Sequence, residues 1–112
     1  MTPSREYAIA LQWVQIHYRE LHGYAEAIVL TPSHMFPAGQ EGQCSHDNFI
    51  NINSGLRTVG DYVNVLVHEL THAKQNRTGS RQTDLEREEE AYEAGIVAAK
   101  DYMLKAAPWM KK

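Results

Sequence analysis

His68-Glu69-Leu70-Thr71-His72 sets two histidines four residues apart, with a glutamate beside the first. On a helix, residues four apart stand one above the other on the same face, so both imidazoles can aim at one point. Two neutral ring nitrogens converging this way make half of a zinc site. A glutamate next to the first ligand is close enough to take a proton from a water that the metal has acidified. Residue types and spacing both suit metal-assisted hydrolysis, with His68 and His72 as ligands of one Zn2+ and Glu69 as general base. A catalytic zinc takes three protein ligands and keeps a fourth position open. A third donor must therefore come from another part of the chain. Cys44, His46, Asp84 and the glutamates of residues 86–93 are the candidates.

The flanks supply the helix that this spacing requires. Thr58-Val59-Gly60-Asp61 has the form of a capping box. Behind it, Tyr62, Val63, Leu66, Val67 and Leu70 mark a core side, and the run from Asn76 through Gly79 to Ser80 marks the end. A second box, Thr83-Asp84-Leu85-Glu86, opens another helix, which Pro108 ends. There Leu85, Tyr92, Ile96, Ala99 and Met103 recur at helical spacing, which predicts a buried stripe with Tyr92 in the core. The turn between the two helices is short, so they should be antiparallel neighbours, with carboxylates of the second brought back to the histidines.

Upstream, Thr2-Pro3 predicts a helix start with Thr2 as N-cap. Tyr7, Leu11, Val14, Tyr18 and Leu21 form one buried face, and Gly23 closes the helix. Ala27-Ile28-Val29-Leu30, ended by Thr31-Pro32-Ser33, reads as a strand. Residues 37–47 read as a loop, and Phe49-Ile50-Asn51-Ile52-Asn53 alternates as a half-exposed strand. The expected fold class is α+β: an N-terminal helix, a small and mostly antiparallel sheet, an active-site helix and a following glutamate helix.

With 112 residues and a formal charge of -3, the chain suits one small domain, 1–112, with residues 108–112 as a short tail. No basic cluster exceeds Lys111-Lys112, which argues against nucleic acid as a partner. No run is long enough to cross a bilayer, and no signal peptide is visible. The single cysteine rules out an internal disulfide and suits a reducing compartment. A cytoplasmic monomer is expected. The tail, with Pro108-Trp109-Met110, would fill a cleft, contact a partner or pack on Trp13 and Ile16.

The pentapeptide, followed by Glu90-Ala91, resembles the gluzincin branch of the zincin metallopeptidases. In length and layout the chain is similar to the minimal single-domain gluzincins (minigluzincins), in which an N-terminal helix and a small sheet precede two zinc helices. The motif resemblance covers residues 49–99 and the layout the remainder. It implies that His68, His72 and a glutamate of the next helix bind one zinc ion, with Glu69 as base for hydrolysis of peptide bonds in a peptide or protein substrate. Family members often carry alanine directly after the ligand glutamate, which selects Glu90 over Glu86, Glu88, Glu89 and Glu93. It also implies that Phe49-Ile50-Asn51-Ile52-Asn53 is the edge strand to which substrate adds as a further strand. A tyrosine or histidine should stabilise the oxyanion, with six tyrosines and His46 available.

The chain departs from related patterns in two places. Gln75 and Thr78 stand where the metzincin extension needs Gly and His. Ala94 stands where thermolysin-like enzymes have an aspartate that holds the first histidine. Another acceptor, Glu86 or Asp101, must then hold the His68 ring. The competing reading is a zincin-like module that binds zinc or a partner protein without turnover. Cys44 or His46 would close its metal site, and a Cys44 thiolate on the metal would keep an enzyme latent.

Overall fold

The computed structural model describes residues 4–105. The fold is α+β. Helices α1 (Arg5–His17) and α2 (Arg19–His22) come first, then strands β1 (Ala27–Thr31), β2 (Gly42–Cys44) and β3 (Phe49–Asn53), then helices α3 (Val59–Thr78) and α4 (Asp84–Lys105). Ser4 caps α1 by accepting from the Tyr7 amide at 3.0 Å; the Thr2-Pro3 start and the tail 108–112 lie outside the described residues. The single first helix read from sequence is broken at Tyr18, whose φ of -127° and ψ of 44° are not helical. Both capping boxes form. Thr58 and Asp61 exchange bonds at the start of α3, and Thr83 and Glu86 do so ahead of α4. Gly79 closes α3 in the left-handed region, φ 64°, where a side chain would be strained.

The sheet corrects two expectations. Its order is β1-β3-β2, with β1 parallel and β2 antiparallel to β3, so it is mixed rather than mostly antiparallel. β3 lies at the centre instead of the edge, with Ile50 and Ile52 fully buried. The edge beside α3 is β2, three residues within the segment read as a loop, too short to show an alternation. Asn48 fixes that edge. It adopts a left-handed φ of 63°, and its amide donates to the carbonyls of Tyr24 and Ala73 while its Oδ1 accepts from Asn76. Asn76 also donates to the Ser45 carbonyl at 3.2 Å, which ties the β2–β3 turn to α3.

The core is built where α1, the sheet and α3 meet. Tyr62, Val63, Leu66, Val67 and Leu70 are buried as expected, joined by Val14, Ile50 and Ile52. Tyr7 meets Tyr62 edge-on at 5.8 Å, and Trp13 meets Tyr102 edge-on at 5.4 Å, which links α1 to α4.

Helix α4 presents a different face from the one its apolar spacing predicts. Its buried residues are Ala91, Gly95 and Ala98, small groups that let the axes approach closely. At Gly95 a Cβ would stand 2.6 Å from the Asn64 carbonyl oxygen. The stripe through Leu85, Tyr92 and Met103 is exposed instead. Helical spacing identifies a stripe but not what covers it; here the small residues offer the tighter contact. Partners run from Gln75–Arg87 through His72–Glu88 to Asn64–Gly95, so α3 and α4 are antiparallel.

Candidate metal centre

His68 and His72 occupy successive turns of α3, with ring centroids 5.1 Å apart. Opposite them α4 places Glu88. Its carboxylate lies 3.2 Å from His68 Nε2 and 3.1 Å from His72 Nε2. These three side chains form a group that could hold a metal ion, with one donor atom from each within 4.8 Å of the others. Ligands at zinc–nitrogen and zinc–oxygen distances in a tetrahedron stand roughly 3.3 Å apart, so the two histidine–glutamate separations leave room for a shared ion.

The third donor in the group is Glu88, and Glu90 stands outside it. Successive helical residues turn by about 100°, so Glu88 lies about 60° to one side of Ala91 and Glu90 about 100° to the other. With Ala91 buried on α3, the two acids fall on opposite flanks. An alanine next to a glutamate therefore identified the contact line of the helix but not the acid that faces the histidines. Glu90 has another task. It accepts from Gln75 Nε2 at 2.7 Å, the same amide nitrogen donates to the Arg87 carbonyl at 3.1 Å, and Gln75 Oε1 faces His72 Nδ1 at 2.9 Å. Two acceptors on its nitrogen fix the orientation of the Gln75 amide. His72 Nδ1 must then carry a proton and donate it, which leaves the Nε2 lone pair directed at Glu88. Two acceptors facing each other at 3.1 Å need a proton or a cation between them.

The remaining candidates are used elsewhere. Glu86 caps the Thr83 amide at 2.9 Å and Asp101 pairs with Lys105 at 3.1 Å, so neither holds His68. Glu41 lines the same cleft, a position that no motif signalled. Ala94 is partly buried against the core. His46 faces a separate depression with Glu26 and Arg77. Asp84 begins α4, and Glu89 sits at the outer rim with Tyr92.

Glu69 lies beneath β2. The approach is close enough that a Cβ on Gly42 would meet Glu69 Cγ at 3.0 Å and Val65 Cγ1 at 2.7 Å, so only glycine lets the strand cross here. Burial pushes the Glu69 carboxyl up to about 7, against the lowering influence of His72 and with that of Glu88. No group among the described residues donates a hydrogen bond to it. Burial also lowers the His68 pKa, which keeps that imidazole neutral and able to act as a ligand. Cys44 lines the cleft with its pKa raised to about 11, first by burial and then by Glu69, so its thiol stays protonated at neutral pH. Neither Cys44 nor His46 joins the metal group among the described residues.

The cleft has a volume of about 500 Å³. Helix α3 is its floor, β2 one wall, and Glu88 and Tyr92 the other. Tyr92, expected in the core, is at its mouth. No helix among the described residues is long and apolar enough to cross a membrane. The chain matches no protein family, no curated protein and no solved structure.

Proposed function

We propose that the protein is a zinc-dependent metallopeptidase of gluzincin type, with His68, His72 and Glu88 as ligands and Glu69 as general base. The observation that carries this reading is the combination of a three-donor group with no fourth protein ligand among the described residues and a buried carboxylate beside it. Closed structural sites have four protein ligands, whereas hydrolytic sites keep one position open. A structural site also gains nothing from a carboxylate poised near neutrality in the same cleft.

When bound, the metal supplies Lewis acidity to a carbonyl and a water. The rest is the work of the chain. The free edge of β2 can accept an extended peptide as a further strand, laying its backbone across the cleft above Glu69. Glu69 takes a proton from the water as the water oxygen adds to the scissile carbonyl carbon. It then delivers that proton to the departing amine nitrogen as the C–N bond breaks. The Tyr92 phenol lines the same cleft and suits a donor to the carbonyl oxygen as negative charge develops there. Glu88 and the two imidazoles stay fixed throughout, the His72 ring through Gln75.

The test compares the zinc-loaded parent with Glu69→Gln on an unstructured polypeptide. The amide keeps the shape of the carboxyl but cannot accept the proton. Parent turnover with at least a hundred-fold loss in Glu69→Gln, at equal zinc content, is the expected result. Equal turnover in both, or none in either, would contradict a peptidase.

A further inference from the structure

Apart from Tyr92, the outward face of α4 is left unused by the proposed chemistry. Leu85 is 68 % exposed, Tyr92 62 % and Met103 52 %, and half-buried Ile96 and Ala99 complete the stripe. The spacing from 85 to 92, 96, 99 and 103 is that of alternate core positions in a heptad, with Glu89 filling the one polar step.

We propose that this face is the interface of a homodimer, in which α4 packs antiparallel on α4 of a second copy about a two-fold axis near Ala94. In that register every stripe residue except Ala99 meets a stripe residue. Leu85 lies against Met103 of the other copy, Tyr92 against Ile96, and Glu89 over the small Ala99. Each layer occurs twice, as a two-fold interface requires. Charge selects the orientation. In the antiparallel pair, Lys100 of one copy stands between Glu86 and Glu89 of the other, giving two sets of opposite charges. A parallel pair would instead set Glu89 against its own copy and Glu88 against Glu93. Acid at Glu86, Glu89, Glu90 and Glu93 along the same helix disfavours an anionic lipid surface as the occupant. Glu93 alone meets its own copy across the axis, the one like-charge contact of the arrangement. Because Tyr92 belongs both to this stripe and to the cleft, the second copy would extend the cleft wall. The inference does not depend on the metal or on peptide hydrolysis.

Sedimentation equilibrium of the full chain tests it, with and without chelator. A reversible dimer is expected. Ile96→Glu should yield a monomer that keeps the helical content of the parent and melts at a lower temperature, as loss of a stabilising partner requires. Lys100→Glu and Glu89→Lys should each raise the dimer dissociation constant at least ten-fold, and the two changes combined in one chain should recover part of that loss, because Glu86 still faces the reversed charge. Glu93→Gln should lower that constant. A parent that stays monomeric up to about 100 μM would overturn the proposal, because that marks association weaker than specific homodimers show. So would a dimer indifferent to Ile96→Glu, or a double charge exchange that recovers none of the lost association. The exchanges lie at exposed positions, so the outcome can be read even if Ile96→Glu does not fold.

Discussion

Gln75 makes the clearest contribution of a single residue that is not itself a ligand. Its amide is oriented by Glu90 and the Arg87 carbonyl, and it sets the proton on His72 Nδ1. Replacing it with leucine frees the ring to rotate or change tautomer. Gln75→Leu should weaken zinc binding by about 10–100-fold, the usual cost of removing a partner that orients a metal-binding histidine. The nitrogen shifts of His72 in the metal-free protein give a second readout, with the proton fixed on Nδ1 in the parent and a mixture of tautomers in the variant. The convergence of His68 and His72 was legible because a four-residue spacing fixes a common helical face whatever the rest of the fold does. The choice between Glu88 and Glu90 was not. Both are glutamates on the same helix, and only the packing of Ala91 on α3 decides which flank faces the histidines.

At the scale of elements, the site depends on how closely α4 approaches α3. Gly95 sets that approach, since a Cβ there would stand 2.6 Å from a backbone oxygen that cannot move aside alone. Gly95→Ala should force the helices apart and cost about 1–3 kcal/mol. For a domain of this size that lowers the melting temperature by roughly 4–8 °C per kcal/mol. Gly60→Ala is the matched control. Its Cβ would meet only Thr58 Oγ1, at 3.8 Å, so the better helix former should be neutral or slightly stabilising. Element types and the capping boxes could be read from sequence because they rest on local bonds such as Thr58 with Asp61. Strand β2 and the face of α4 could not. A three-residue strand exists through pairing with β3, and the buried face of a helix is chosen by the helix it meets.

Across the whole molecule, metal binding and folding should be linked. Donors on α3 and α4 converge only in the folded chain, so zinc should stabilise it by about 4 kcal/mol at a thousand-fold excess over the dissociation constant. The same two helices carry the proposed cleft on one side and the unpartnered apolar stripe along its rim. The identity of the acid that completes the metal group decides how the two helices build the site. Equilibrium zinc titration of the metal-stripped parent, Glu88→Ala and Glu90→Ala tests it most directly. One equivalent should bind the parent. Glu88→Ala should weaken binding by more than ~100-fold, and Glu90→Ala, acting only through Gln75, by about ten-fold. A Glu88→Ala variant that binds zinc like the parent, or a greater loss in Glu90→Ala, would contradict the assignment.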